Sequence, residues 1–248
     1  MSEGIGLVGF DADDTLWRSE DYYRAAQAQF EAILRGYVDH ADLSERLYAI
    51  ENRNLALFGY GAKGMTLSMV ETAIAVTDQR ISASDLHRIV ELGKTILRHP
   101  VEVLPHVVDA VEAIRARWPV VLITKGDLFH QEAKLRQSGL SHLFRRIEIV
   151  SEKDAATYAR VLSEFALPAE RFVMIGNSLR SDIEPVLRLG GWGVHTPYRV
   201  TWAHEMQAQG SLDAARWVHA EDARQWPAAL QELQALQTRD VRGESAVG

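Results

Sequence analysis

An unbroken apolar run at residues 5–10 (IGLVGF) stops abruptly at Asp11-Ala12-Asp13-Asp14. Apolar character without alternation suits a strand buried on both faces, as in a parallel sheet covered by helices on each side. Runs of the same kind recur at 119–124 (PVVLIT), 146–150 (RIEIV) and 171–176 (RFVMIG), with weaker ones at 191–196 (GWGVHT) and 216–220 (RWVHA). Helical periodicity fills the intervals, at 107–118, 128–137, 155–165 and 179–189, with Gly139, Pro168 and Gly190-Gly191 as stops. Strands alternating with helices of this length predict β-α-β units and a parallel α/β sheet.

The alternation lapses once. Between Asp21 and His99 the patterning is helical throughout, at 22–34, 43–58, 66–77 and 84–97, with Gly59, Gly61 and Gly64 as punctuation. Ser82-Ala83-Ser84-Asp85 offers an N-cap before the last of these helices. The pattern predicts an all-helical domain of residues 21–99 inserted into a core domain of residues 1–20 and 100–238, with Pro100 and Pro105 marking the return. A last helix is expected at 227–236, and the small, polar tail 239–248 is expected to fray.

Composition removes several classes of function. The formal net charge of −7 argues against non-specific binding of nucleic acid or an anionic membrane, both of which favour a basic surface. The chain has no cysteine, which excludes disulfides, a thiolate metal site and a cysteine nucleophile. Its start lacks the basic segment and longer apolar stretch of a signal peptide, and no run approaches the ~20 apolar residues of a membrane span. A cytoplasmic protein without nucleic-acid or membrane partners is the expectation; oligomeric state cannot be read from the sequence.

The chemistry is expected at Asp11 and Asp13. Ligands of open parallel sheets bind beyond the carboxyl ends of the strands, and alternation along a strand starts Asp11 and Asp13 on the same side. Two carboxylates held that close repel unless a cation or a proton intervenes. Nucleophile and general acid is a natural division between them. A lone Asp-x-Asp is equally a turn or a helix cap, so the residues at the other strand ends decide the reading.

Three further elements occur in order. Val120-Val121-Leu122-Ile123 leads into Thr124-Lys125-Gly126-Asp127, where a hydroxyl and free backbone N–H groups suit phosphate oxygens. Ser151-Glu152-Lys153-Asp154 places a lysine after the third strand, able to neutralise a carboxylate and a phosphate. Phe172-Val173-Met174-Ile175 leads into Gly176-Asn177-Ser178-Leu179-Arg180-Ser181-Asp182, a loop of oxygen donors suited to a hard cation.

Together, Asp11-Ala12-Asp13-Asp14-Thr15-Leu16, the Thr124 strand end, Lys153 and the Gly176 to Asp182 loop resemble the four motifs of the haloacid dehalogenase-like (HAD) hydrolase superfamily. The match runs from Phe10 to Ile183. It departs from the family at Asn177, where one variant of the last motif carries Asp, so weaker metal binding is expected there unless Asp182 or Glu184 compensates. The resemblance implies a Rossmann-like doubly wound core, with residues 21–99 as a helical C1-type cap. Asp11 is then the phosphoryl-accepting nucleophile and Asp13 the acid and base. Thr124, Lys125, Gly126 and Lys153 bind phosphate. Magnesium is held by Asp11, the Asp13 carbonyl and Asn177 or Asp182, with Asp182 alternatively orienting Lys153. The implied activity is hydrolysis of a small phosphorylated metabolite. Trp17, Arg18 and Lys63 are weaker candidates for leaving-group contacts. A 2-haloacid dehalogenase, a phosphomutase or a non-catalytic family member is the alternative; the family's dehalogenases carry Tyr where this chain has Asp13.

Overall fold

A computed structural model describes residues 4–38, 42–200 and 215–241. These fall into two compact units: residues up to 18 with 102–124 and those from 138 onward, and residues 19–101 with 125–137.

The first unit is built on one six-stranded sheet, with strands β1 (Leu7–Phe10), β2 (Val120–Lys125), β3 (Arg146–Val150), β4 (Phe172–Gly176), β5 (Trp192–His195) and β6 (Trp217–His219). Their order is β3-β2-β1-β4-β5-β6. All six expected strands form. β1 pairs in parallel with both neighbours, Val8 with Val120 on one side and with Val173 on the other. Helices α5 (Val107–Arg115), α7 (Ala155–Glu164), α8 (Glu184–Arg188) and α9 (Trp226–Val241) belong to this unit. A central parallel strand must be apolar on both faces, and β1, β2 and β4 are buried over almost their whole length. Leu7, Val121, Ile123, Phe172 and Met174 pack with Tyr158, Val161 and Leu162 of α7. Each fully buried side chain of this size contributes about 1.5–3 kcal/mol.

The second unit contains α1 (Glu20–Leu34), α2 (Leu43–Phe58), α3 (Ala62–Val76), α4 (Ala83–Arg98) and α6 (Leu128–Ser138). Phe30, Leu34, Leu47, Met69, Ala73, Ile89 and Ile96 form its core. Ser82 caps α4 as expected, its hydroxyl accepting from the Asp85 N–H at 3.0 Å. Residues 125–137 pack with these helices, whereas the strand–helix alternation places them in the core. Two contacts distant in sequence join this segment to them: Lys63 donates to Asp127 at 2.9 Å, and the Lys125 ammonium lies 4.3 Å from the centre of the Tyr60 ring.

Three other element boundaries differ from expectation. α3 starts at Ala62, four positions early, and takes Gly64 inside the helix, at a position where a Cβ would meet the Gly59 carbonyl at 2.7 Å. The single helix expected at 179–189 is a π-helical turn, Leu179–Ile183, followed by α8, since Pro185 cannot donate into a continuous ladder. α9 runs to Val241, into residues expected to fray, on a stretch rich in Leu, Ala and Gln, all good helix formers. The rest of that tail lies outside the described residues. No helix among the described residues is long and apolar enough to cross a membrane.

Candidate active site

The four motif strands are the four neighbours β3-β2-β1-β4, so their carboxyl ends lie side by side. The chain runs from β1 outward to β2 and β3, then returns to β4 on the other side of β1. That reversal makes the β1/β4 boundary the topological switch point, where open α/β sheets bind ligands. Asp11 lies just past β1 there, its N–H donating to the Ile175 carbonyl at 2.9 Å, and Asn177 lies just past β4.

Three charges meet at this edge. The Lys153 ammonium donates to Asp11 Oδ1 and, at 2.7 Å, to Asp182 Oδ1. All three residues are buried. Burial alone would lower the Lys153 ammonium, but the Asp11 and Asp182 carboxylates overcome it and hold it well above the usual lysine range. Burial pushes the Asp11 carboxyl up to about 7; Lys153 works against that push, while Asp182 and Asp13 add to it. One ammonium between two carboxylates leaves a single net negative charge, suited to a cation.

Asp182 owes its position to its loop. Ser178 N–H donates to Asp182 Oδ2 at 2.9 Å, and the Ser178 hydroxyl accepts from the Ser181 N–H. Tyr158 of α7 donates to the Ser181 carbonyl. Gly176 is required beneath it: a Cβ there would lie 2.2 Å from Asp182 Oδ2. Of the alternatives open in the sequence, the bond to Lys153 is the contact that an orienting Asp182 would make. Single-turn π elements of this kind recur at functional sites.

The turn after β1 is tightly wound. The Ala12 carbonyl accepts from Leu16 N–H at 2.8 Å, and Asp14 N–H donates to the Trp17 carbonyl at 2.7 Å. Asp14 sits at φ 63°, a left-handed conformation that Asp tolerates better than most residues. The winding turns Trp17 back on the motif, and its indole Nε1–H donates to Asp13 Oδ1 at 2.7 Å. Thr15 turns inward too: its hydroxyl donates to Asp11 Oδ2 at 2.9 Å and accepts from Asn177 N–H at 3.1 Å.

The fit to a divalent cation rests on Asn177. With its amide oxygen turned toward the turn, that atom lies 3.2 Å from both the Asp13 carbonyl oxygen and Asp11 Oδ2; turned over, its NH2 group would donate to both. In the first orientation the three oxygens are spaced like ligands of one ion; in the second the amide bridges both acceptors by itself. Neighbouring ligands of octahedral magnesium, at 2.0–2.1 Å from the ion, are about 3.0 Å apart. The residue types suit magnesium: one carboxylate, one backbone carbonyl and one carboxamide are all hard oxygen donors. No cluster of three acidic or histidine side chains that could hold a metal occurs among the described residues.

The other expected residues are distributed unevenly. Thr124 is buried two positions beyond Leu122, the partner of Phe10, which brings it to the sheet edge beside Asp11. Lys125 and Gly126 belong to the helical unit, where Gln131 donates to the Lys125 carbonyl at 2.8 Å. Arg18 pairs with Glu102, and Lys63 with Asp127. Trp17 is buried, which does not suit a substrate contact. The roles of Thr15 and Gly176 have no signal in the sequence; both lie inside the motifs, where only the fold reveals what they touch.

Comparison with known proteins agrees with this fold. The family model described as haloacid dehalogenase-like hydrolase matches residues 5–190. A haloacid dehalogenase-like family hydrolase from Xanthomonas campestris, a crystal structure, is 60% identical with a TM-score of 0.87, over 96% of this chain and 100% of that one. A 2-haloacid dehalogenase from Pseudomonas syringae shares the fold at 21% identity and TM-score 0.60, over 92% of this chain and 99% of that one. YfnB of Bacillus subtilis, solved bound to magnesium, does so at 15% and 0.62, over 92% and 100%. No curated protein sequence matches the chain. The motifs, the sheet order and these matches together make the chain a member of the haloacid dehalogenase-like hydrolase family.

Proposed function

We propose that the protein hydrolyses small phosphate monoesters with magnesium, through a phosphoryl group carried on Asp11. The observation that carries this reading is Asp13, a second carboxyl on the same turn, held by Trp17. Displacement of halide by a carboxylate needs no proton donor, because halide leaves as a stable anion. Departure of an alkoxide from phosphorus does need one.

The chain's residues divide the reaction between them. Asp11 attacks phosphorus; the bond from phosphorus to the ester oxygen breaks, and the proton of Asp13 passes to the departing oxygen. Water then attacks the phosphoryl group on Asp11, Asp13 takes a proton from it, and inorganic phosphate leaves with Asp11 restored. Lys153 holds Asp11 in place and offsets phosphate charge, while Asp182 orients Lys153. Thr124, Lys125 and Gly126 are the phosphate-binding candidates. Asp11, the Asp13 carbonyl and Asn177 would hold magnesium, which when bound supplies charge neutralisation at the transferring phosphoryl group.

The test is turnover of p-nitrophenyl phosphate with and without magnesium, beside Asp11→Asn. Magnesium-dependent release that disappears in the variant supports the reading. Halide release from a 2-haloacid, with no phosphatase activity, would replace it with the dehalogenase alternative.

A further inference from the structure

The hydrogen bond between Trp17 and Asp13 has a chemical consequence for the proton itself. Indole Nε1–H is a donor only and has no lone pair to accept with. It points at Asp13 Oδ1 at 2.7 Å. An acid proton placed on Oδ1 would face that N–H, so the bond keeps Oδ1 in the accepting role. Trp17 is 1% exposed, and its backbone is fixed on two sides, by the Asp14 N–H on its carbonyl and by a bridge to Val103. It is thus a stiff mount, able to keep one orientation of the carboxyl through both halves of a reaction in which Asp13 gives up a proton and later regains one.

We propose that Trp17 is the positioning residue of the general acid: its indole N–H fixes the Asp13 carboxyl and keeps the transferable proton off Oδ1. The inference rests on the phosphomonoesterase reading. It assigns to a buried aromatic a task distinct from packing, because only the N–H, and not the ring, is required.

Trp17→Phe keeps most of the ring and removes the N–H. The measurement is the dependence of kcat/KM on the leaving group, across phenyl, 4-nitrophenyl and 2,4-dinitrophenyl phosphate. A general acid matters most for phenolate and least for dinitrophenolate, so the variant should lose about tenfold more on the phenyl ester than on the dinitrophenyl ester, part of the 10²–10⁴-fold typical of general acid catalysis. Equal losses on all three esters would show that the ring only packs, and would overturn the inference.

Should Trp17→Phe fail to fold, the indole N–H signals decide. The chain has six Trp, and in 1H–15N spectra Asp13→Ala should shift one of their signals upfield. Six unmoved signals would remove the hydrogen bond and the proposal with it. Wild-type protein inactive on every ester, or activity surviving Asp11→Asn, would instead defeat the phosphatase reading and the proton assignment together; the indole spectrum would still report the bond separately.

Discussion

Lys153 and Asp182 form a buried ion pair, 2.7 Å from Nζ to Oδ1, in which the same ammonium also holds Asp11. Removing the cation would strand two carboxylates out of water. Breaking a buried pair from one side costs about 3–5 kcal/mol. Lys153→Met should therefore lower the unfolding midpoint sharply in chemical denaturation, and more than Asp182→Asn, which leaves Lys153 one carboxylate. A Lys153→Met midpoint equal to wild type would mean that the pair carries no such strain.

Gly176→Ala is expected to be as damaging as many larger changes. The added methyl would fall 2.2 Å from Asp182 Oδ2, so the carboxylate, and with it the support of Lys153, must move. The crowding is against a group bonded on both oxygens, and overpacking of this kind costs about 1–3 kcal/mol. Thermal unfolding beside phosphatase assay checks it; both should fall.

A pH dependence arises from Asp11. Its carboxyl is raised from 3.8 to about 7 in the folded metal-free protein, chiefly by burial. A raised folded-state value means that folding takes up a proton, so this contribution is full below about 4 and is lost as pH climbs through about 7. With chelator present, wild-type protein should lose stability relative to Asp11→Asn between those limits. Parallel curves for the two proteins from pH 5 to 8 would contradict the shift.

Asn177→Asp tests the donor set without any assay of turnover. The substitution puts a charged oxygen where the amide oxygen stands 3.2 Å from Asp11 Oδ2 and the Asp13 carbonyl. Magnesium affinity by calorimetry should rise by about tenfold or more, and added magnesium should raise the melting temperature more than in wild type. An unchanged affinity would mean that residue 177 does not face the ion.

The strands and motifs are legible in the sequence because their signals are local. Apolar runs mark every strand, and Asp11, Asp13, Thr124, Lys153, Asn177 and Asp182 can be picked out by position after them. The partition of residues 125–137 is not legible, since it rests on Lys63 meeting Asp127 and Lys125 meeting Tyr60, pairs far apart in the chain. Nor is the choice open to Asp182, which depends on a π-helical turn that no periodicity marks. Trp17 reads in the sequence as a weaker candidate for a leaving-group contact; its bond to Asp13 exists only because the turn winds back on itself.

The position of β1 in the sheet also bears on how the protein is made. Of these six strands the earliest synthesised is central, and Val8 must wait for Val120 on one side and Val173 on the other. The whole helical segment 19–101 is synthesised in between, so an apolar strand with two unpaired edges persists through much of translation. Chain pairing over such distances is slow and leaves sticky edges exposed. Translation arrested before residue 172 would leave β1 without β4 and Asp11 without Asn177, so a burst of aggregation in such truncated chains, absent once β4 is made, is the biosynthetic cost of placing the earliest of these strands in the middle.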